Sequence, residues 1–412
     1  MKQFTIPFTY RSSLINAIKE KRRKEDKMKK DFTPTLLNFG SLQIILARHF
    51  GFCYGVENAI EIAFKTIDEN PDKRIFLLSE MIHNPAVNKD LQNRGIAFLQ
   101  DTSGKTIVPF ETLNKNDVVI IPAFGTTIEI ETKLRNIGIA IEKYNTTCPF
   151  VEKVWNRSEQ IAKKGYSVIL HGKPTHEETR ATFSHAASTT PTLIINDMKD
   201  AIILASFITG ESNLADFYST FEGKHSIGFN VEKDLNRIGV VNQTTMLASD
   251  TQAISDFLKK VIIEKYQLSE QETHERFADT RDTLCYATND NQSAVYGLLE
   301  EEADIALVVG GYNSSNTSHL VELCEKKLPT YFIDNEARII SKEEIDHFDF
   351  HHKTEIKTSS FIPNKNPVKI LMTSGASCPD AIVENVIKKL TSYFITTEEY
   401  QRVVSTIIKE GL

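Results

Sequence analysis

Three cysteines stand far apart in the chain, each in a short loop of Gly, Pro or Thr just before a helical pattern. They are Cys53 in HFGFCYGVENAI, Cys148 in YNTTCPFVEKVW and Cys285 in RDTLCYATNDNQ. Thiolates are common ligands of zinc and of iron–sulfur clusters. Because the chain has no CxxC pair, a metal site built on these cysteines must be assembled from three separate segments.

The two remaining cysteines have different surroundings. Cys324 falls in the middle of the helical pattern SHLVELCEKK and is typical of a packed core residue. Cys378 precedes Pro379 in a loop, so spacing alone leaves it as a competing ligand. The odd number of cysteines, without close pairs, argues against a disulfide framework.

Five polar loops follow apolar runs, and each loop precedes a helical pattern. The loops read GTT, HGKPTHEET, NQTT, NSSNT and SGAS. The runs before them are continuously apolar, as expected for strands buried on both faces, and their alternation with helices predicts parallel βαβ sheets. Ligands bind at the carboxyl ends of such strands. Several loops carry more hydroxyls and amides than a helix cap requires, which favours a shared ligand.

Composition limits the classes of partner. The formal net charge of −7 argues against a nucleic-acid binder. No apolar run approaches the roughly 20 residues of a membrane span, and polar residues interrupt the N-terminal segment where a signal peptide would need its apolar core. We therefore expect a cytoplasmic protein with neither a membrane nor a nucleic acid as partner.

Residues 1–41 are interpreted as a basic extension without a strong apolar period. Its stretch Lys19–Lys30, KEKRRKEDKMKK, is typical of a solvated helix face, with a docking site for an acidic protein as the alternative. A polar, turn-rich segment near 203–236 predicts a surface insertion.

Taken together, the motifs resemble the LytB/IspH family of 4-hydroxy-3-methylbut-2-enyl diphosphate reductases. The matching segments follow the family's order from about residue 45 to about residue 390: GFCYGVENAIEIA, EMIHNPAVNKDL, VIIPAFGTT, TTCPFVEKVW, HGKPTHEETRAT, NQTTMLASDT, CYATNDNQSA, VVGGYNSSNTSHL and TSGASCPDAIVENV. The HGKPTHEET and PAFG forms are similar to the longer version found in cyanobacteria and plants, which also has an N-terminal extension.

The resemblance implies an α/β fold of three similar domains with mostly parallel sheets around a central iron–sulfur cluster. The implied boundaries are 42–145, 146–282 and 283–395, one cysteine in each, followed by a tail at 396–412. The insertion near 203–236 then belongs to the second domain.

The resemblance also implies the cofactor, one [4Fe-4S] cluster per chain held by Cys53, Cys148 and Cys285. Three thiolates leave one iron without a protein ligand, whereas most electron-transfer clusters have four cysteines. Such an iron can act as a Lewis acid on a substrate oxygen.

Residue roles follow by motif match. The implied substrate-binding residues are His83, His176, Thr244, Ser314, Ser315, Asn316 and Ser377. Hydroxide leaves carbon only with a proton, and the acid in PTHEET is the candidate donor: Glu178 is favoured, with Glu177 as the alternative. Phe124 stands where many shorter family members have a histidine, so that phosphate contact is missing or is supplied by Thr126 or Thr127.

The implied reaction is the reductive dehydroxylation of 4-hydroxy-3-methylbut-2-enyl diphosphate to isopentenyl and dimethylallyl diphosphate. No flavin or nicotinamide fingerprint is present, so we expect ferredoxin or flavodoxin to deliver the electrons, with Lys19–Lys30 as the docking site. Two rival hypotheses are a zinc hydrolase with Cys and His ligands and a non-catalytic iron–sulfur or phosphate-binding regulator.

Overall fold

The computed structural model describes residues 4–28, 30–278, 280 and 283–410. Lys29 of the basic stretch and residue 282 at a predicted boundary lie outside the described residues. The chain divides into two compact units. Unit 1 comprises Met1–Glu57, Ile82–Lys89 and Tyr286–Leu412, and unit 2 comprises Asn58–Met81 and Asp90–Cys285.

Strands and helices alternate along most of the described chain. The strands are β1 (Thr35–Asn38), β2 (Leu42–Leu46), β3 (Ile75–Leu77), β4 (Ala97–Phe98), β5 (Val118–Ile120), β6 (Ser167–His171), β7 (Thr192–Ile195), β8 (Ile238–Asn242), β9 (Phe277–Ala278), β10 (Ile305–Val309), β11 (Thr330–Ile333), β12 (Glu344–Asp349), β13 (Thr354–Ser359) and β14 (Val368–Ser374).

The α-helices are α1 (Ser13–Glu25), α2 (Tyr54–Glu69), α3 (Pro85–Asn93), α4 (Ile128–Ile137), α5 (Pro149–Ala162), α6 (Glu177–Ala187), α7 (Met198–Thr209), α8 (Phe217–Thr220), α9 (Val231–Asp234), α10 (Ala248–Tyr266), α11 (Tyr286–Leu299), α12 (Ser315–Glu325), α13 (Asp380–Thr391) and α14 (Thr397–Glu410). Short 3-10 turns cover Phe8–Tyr10, Phe110–Thr112, Ile141–Tyr144, Leu214–Asp216, Thr273–Glu275 and Glu336–Arg338.

Unit 1 is built on a sheet with the strand order β1-β2-β14-β10-β11. The pairs from β2 to β11 are parallel, and only β1 joins its neighbour antiparallel. Every residue of β10 is buried, as the continuous apolar run predicted. A separate antiparallel hairpin, β12–β13, was not predicted from the sequence.

Unit 2 contains two parallel sheets, with strand orders β4-β3-β5 and β7-β6-β8-β9. Buried aliphatic and aromatic side chains from these strands and their helices form the hydrophobic clusters of the unit. The α/β fold with mostly parallel sheets is therefore confirmed. All five predicted strand–loop–helix units are present: β5–α4, β6–α6, β8–α10, β10–α12 and β14–α13.

The predicted extension is an integral part of unit 1. Leu14, Ile15 and Ile18 on α1 are buried, and β1 forms the edge of the sheet next to β2. Strand β2, assigned to the first predicted domain, shares this sheet with strands assigned to the third. The two compact units do not coincide with the three implied domains. The domain boundaries taken from the resemblance stay a prediction.

The segment near 203–236 exposes many of its residues, as a surface segment would, but a few side chains anchor it to the core of unit 2. Phe217, Phe221 and Phe229 are almost fully buried and belong to the same hydrophobic cluster as strands β6 to β8. These phenylalanines follow no regular period in the sequence, so the pattern of apolar residues did not reveal this anchor. That the segment is an insertion stays a prediction.

Candidate active site

Each of the three cysteines of the sequence analysis lies at the amino end of a helix. Cys53 directly precedes α2, Cys148 is the N-cap residue of α5, and Cys285 directly precedes α11. The unpaired N–H groups at a helix N-terminus favour negative charge. This placement suits thiolate ligands and an anionic cluster, so the donor set fits the proposed cofactor.

In unit 2, Cys148 interacts electrostatically with Cys285 and with Glu178. Burial, with a smaller contribution from these two neighbours, raises the pKa of the Cys148 thiol to about 12, although the N–H group of Phe150 opposes the shift. A bound metal supplies the positive charge that reverses this preference and deprotonates coordinating thiols.

Thr244 donates a hydrogen bond to each carboxylate oxygen of Glu178. The backbone N–H of Thr244 donates to Oε1 at 2.5 Å, and its hydroxyl donates to Oε2 at 2.9 Å. Glu178 is 1% exposed. The carbonyl of Thr244 in turn accepts a hydrogen bond from the backbone of Cys285 at 3.4 Å. The structure thus brings Glu178, Thr244, Cys148 and Cys285 together.

His176 contacts the backbone of Glu178. Its Nδ1 accepts a hydrogen bond from the backbone N–H of Glu178 at 3.2 Å, so the side chain caps α6. Because Nδ1 is an acceptor there, the ring is neutral in this state and carries its proton on Nε2. Phe124 packs edge-on against the His176 ring at 5.7 Å. Phe124 therefore supports the imidazole sterically.

Glu177 has a separate environment from Glu178. Its carboxylate accepts a hydrogen bond from the Ser79 hydroxyl, and the side chain is buried. Of the two threonines considered as phosphate ligands, Thr127 uses its oxygen to cap α4. The carbonyl of Thr126 lies 3.2 Å from Nε2 of His185.

The structure adds Gln243, a fully buried side chain that the sequence analysis did not single out. Its Oε1 accepts hydrogen bonds from the Thr179 hydroxyl at 2.9 Å and from the Lys173 backbone at 3.1 Å. Its Nε2 donates to the Thr245 hydroxyl at 2.6 Å. Gln243 therefore ties the NQTT loop to the HGKPTHEET loop. The available sequence signal was the amide side chain of Gln243 within the polar NQTT loop.

In unit 1, the NSSN segment forms the amino end of α12. The Ser314 oxygen caps the helix by accepting from the Thr317 backbone at 3.3 Å. Ser315 and Asn316 are buried, yet Ser315 Oγ and Asn316 Nδ2 have no hydrogen-bond partner among the described residues. Buried polar atoms without partners are costly, and a ligand that accepts hydrogen bonds would satisfy them.

A single residue, Ala376, connects this segment to Cys53 through its backbone. The Ala376 carbonyl accepts from the Cys53 backbone at 3.2 Å, and the Ala376 N–H donates to Asn316 Oδ1 at 2.9 Å. The neighbouring Ser377 hydroxyl donates to the carbonyl of His83 at 3.2 Å. We call residues 375–380, which contain these contacts, the bridging loop.

His83 lies against the loop after β10 as well. A Cβ atom added to Gly311 would be 2.2 Å from the His83 carbonyl oxygen, so only glycine permits this approach. Unit 1 thus brings together six predicted residues: Cys53, His83, Ser314, Ser315, Asn316 and Ser377.

The other two cysteines are fully buried in unit 1, and burial raises the pKa of both thiols. Cys324 lies inside α12, and the Cys378 thiol faces the Pro379 carbonyl at 3.7 Å. Within the described part of the chain, no group of three or more His, Cys, Asp or Glu side chains is placed to hold a single metal ion.

The mostly parallel sheets define an α/β protein, and its polar loops carry cysteines at helix N-termini. The LytB protein family matches residues 44–391 of this chain. Because this match covers most of the sequence, the chain belongs to that family.

Cyanobacterial relatives are similar over most of their length. A 4-hydroxy-3-methylbut-2-enyl diphosphate reductase of Crocosphaera subtropica is 38% identical over 387 residues, which is 94% of this chain and 90% of the relative. A protein of the same name from Prochlorococcus marinus is 40% identical over 357 residues, covering 86% of this chain and 85% of the relative.

Two solved structures are also similar. The structure of (E)-4-hydroxy-3-methyl-but-2-enyl diphosphate reductase, the terminal enzyme of the non-mevalonate pathway, is 25% identical with a TM-score of 0.50, covering 85% of this chain and 99% of that one. The E-1-hydroxy-2-methyl-but-2-enyl-4-diphosphate reductase of Plasmodium falciparum, 23% identical, has a TM-score of 0.60 with 84% and 87% coverage, and it supports the fold.

Among the described helices, none combines the length and the apolar character that crossing a membrane demands.

Proposed function

We propose that this protein is an iron–sulfur oxidoreductase that removes the hydroxyl group of 4-hydroxy-3-methylbut-2-enyl diphosphate. The products are isopentenyl and dimethylallyl diphosphate, the end products of the non-mevalonate route. Two electrons and two protons are consumed for each hydroxyl that leaves as water. The full-length similarity to cyanobacterial reductases supports this reaction.

The observation that carries the proposal is the contact set of Glu178. A buried carboxyl group, which accepts from Thr244 at both oxygens, interacts electrostatically with Cys148, and Cys148 in turn interacts with Cys285. This is the arrangement that a proton donor next to a redox cofactor requires. Glu178 in its protonated form would deliver a proton to the departing hydroxyl, and Thr244 would fix the direction of delivery.

Cys53, Cys148 and Cys285 would hold one [4Fe-4S] cluster with one iron free of protein ligands. When bound, this cluster supplies the electrons and a Lewis-acidic iron for the substrate hydroxyl. The location of all three cysteines at helix N-termini suits them to this task.

The diphosphate would bind to neutral donors. Ser315 Oγ and Asn316 Nδ2 are buried without partners, and they stand at the positive end of α12. Ser314, Ser377 and the two histidines His83 and His176 would complete the set. In a site that excludes water, hydrogen bonds to a charged group are stronger than hydrogen bonds between neutral groups.

An external carrier such as ferredoxin or flavodoxin would deliver the electrons, within the cytoplasm. Two residues of the proposed docking surface Lys19–Lys30 already have partners. Lys19 pairs with Asp380, and Arg22 donates to the carbonyls of Thr33 and Pro34. Arg23, Lys24, Lys27 and Lys30 remain exposed. Deleting residues 1–41 would remove β1 and α1 from unit 1, so it cannot test docking.

A cleaner test replaces Arg23, Lys24 and Lys27 together by glutamine. If this surface docks an acidic carrier, the KM for the carrier rises while the rate with reduced viologen stays unchanged. Equal carrier kinetics in the variant and the wild-type protein would rule out docking at this surface.

The function itself is tested under anaerobic conditions. The purified protein should be brown, contain iron and acid-labile sulfide, and convert the hydroxymethylbutenyl diphosphate with reduced viologen as donor. A colourless zinc protein would support the hydrolase hypothesis instead. A brown protein that binds the diphosphate without turnover would support the regulator.

A further inference from the structure

His319 is a buried histidine that neither the motif match nor the proposed reaction uses. It lies on α12, one helical turn after Ser315, and is 5% exposed. Its Nδ1 is 2.7 Å from Glu322 Oε2. Because a carboxylate accepts hydrogen bonds, Nδ1 carries a proton, and Glu322 fixes the orientation of the ring.

The second ring nitrogen has no such contact. Nε2 of His319 is buried and has no hydrogen-bond partner within the described residues. The same is true of Ser315 Oγ and Asn316 Nδ2 in the first turn of the same helix. Three unsatisfied polar atoms on one short stretch are exceptional, since native proteins leave very few such atoms unpaired.

Helix geometry indicates where the nitrogen points. Side chains of an α-helix lean toward its N-terminus, so a residue at position i+4 covers the turn that contains residue i. The His319 ring therefore lies over the turn of Ser315. Glu322 holds Nδ1, so Nε2 is the ring nitrogen left for a ligand near this turn.

We propose that His319 is a further diphosphate-binding residue, whose Nε2–H donates to a phosphate oxygen directly or through one water molecule. Glu322 is a positioning residue that accepts from Nδ1 and orients the ring. This inference rests on the proposed function, because it assumes that the α12 N-terminus receives a diphosphate.

Two substitutions separate the roles of the two ring nitrogens. The amide of His319→Asn reaches the position of Nδ1, so it can donate to Glu322 but provides nothing at Nε2. The longer amide of His319→Gln reaches the position of Nε2. A structural role through Glu322 predicts that Asn is the better substitute, whereas phosphate binding predicts that Gln is.

The experiment measures the affinity of the cluster-loaded protein for inorganic pyrophosphate by anaerobic calorimetry, together with KM and kcat for the allylic diphosphate. For H319N we expect a Kd and a KM about tenfold higher, with kcat changed less than about twofold. For H319Q we expect a Kd within about threefold of wild type. The control is H351N, which alters an exposed His351–Glu325 pair of unit 1.

An H319N protein that melts like wild type and binds pyrophosphate with unchanged affinity would overturn the inference, as would better binding by H319N than by H319Q. The two proposals fail separately. Turnover by the wild-type protein with unchanged affinity in H319N contradicts only the role of His319. Pyrophosphate binding that H319N weakens, in a protein without turnover, contradicts only the proposed reaction.

Discussion

The polar sites of the two units differ in how well their hydrogen bonds are satisfied. In unit 2, the Glu178 carboxylate has a donor at each oxygen, and Gln243 uses both ends of its amide. In unit 1, the buried Ser315 and Asn316 keep polar atoms without partners among the described residues. Satisfied groups hold one geometry, whereas unsatisfied donors indicate where a ligand must bind.

The comparison assigns different chemistry to the two sites. The site of unit 2 would move a proton, because its acid interacts with Cys148 and is held by Thr244, which also contacts the backbone of Cys285. The site of unit 1 would bind an anion, because its unsatisfied donors stand at a helix N-terminus. Substitution of Glu178 should therefore change kcat, and substitution of Ser315 or Asn316 should change KM and Kd.

The largest effect is expected for Glu178→Gln. The amide keeps the shape and can still accept from Thr244 at its oxygen, but it cannot supply a proton. We expect kcat to fall by about 10²- to 10⁴-fold with little change in KM, measured with reduced viologen. Iron and sulfide contents should stay at wild-type values.

The matched control for this change is Glu177→Gln, since the Glu177 carboxylate is held by Ser79 instead. Its kcat should remain within about tenfold of wild type. If Glu177→Gln abolishes turnover while Glu178→Gln does not, the proton donor is Glu177 and the role assigned to the Glu178–Thr244 contact is wrong.

The next effect is expected for Asn316→Asp in unit 1. The carboxylate still accepts from the Ala376 N–H, but an anionic oxygen replaces the unpartnered Nδ2 donor. Loss of a donor and repulsion of the diphosphate should raise KM at least about 100-fold. Exposed Asn364→Asp adds the same charge to unit 1 and should leave KM unchanged. An unaltered KM in Asn316→Asp would remove the diphosphate from this site.

A smaller effect is expected from Gly51→Ala, two residues before Cys53. Gly51 has a φ of +76°, and a Cβ atom there would be 2.5 Å from Asp380 Oδ1 and 2.9 Å from Lys19 Nζ. Gly40 has a φ of +79° and open space around the added atom. Backbone strain of about 1–2 kcal/mol is common to both substitutions.

Only Gly51→Ala should therefore also displace the bridging loop. We expect it to lower the melting temperature more than Gly40→Ala does and to release iron faster in the presence of a chelator. Identical melting and iron release in the two variants would show that the contact of Gly51 with Asp380 does not support the Cys53 loop.

The smallest effect is expected for the Lys19–Asp380 pair, 2.7 Å apart with both side chains about three-quarters buried. Lys19→Met should destabilise unit 1 by about 1 kcal/mol, seen as a shift of about 1–2 °C in melting temperature. Lys24→Met, on the exposed side of α1, should have no effect. A double-mutant cycle with Asp380→Asn measures the coupling directly, and additive effects would mean that the pair contributes nothing.

Much of this architecture could be predicted from the sequence. Continuous apolar runs such as that of β10 predicted buried parallel strands, and polar loops such as NSSNT predicted their carboxyl ends. The loops also identified residues that the structure brings together within each unit, Ser315 with Asn316 and Glu178 with Thr244. Local patterns succeed here because each loop directly follows its strand.

Contacts between distant segments were not predictable in the same way. The apolar face of α1 consists of Leu14, Ile15 and Ile18 among many charged residues, so composition concealed it. Lys19 was interpreted as part of a solvated helix face, with docking as the alternative, yet it pairs with Asp380, which is 361 residues away in the sequence. His319 resembled an ordinary helix residue, and only its buried, unpartnered Nε2 distinguishes it.

The central proposal is that Cys53, Cys148 and Cys285 bind one cluster. The most direct test is the anaerobic iron and sulfide content of the five single Cys→Ala variants. We predict about four irons and four sulfides per chain in the wild-type protein and in C324A and C378A, with loss of the cluster in C53A, C148A and C285A. A full complement of iron in C53A, or its loss in C378A, would contradict the claim.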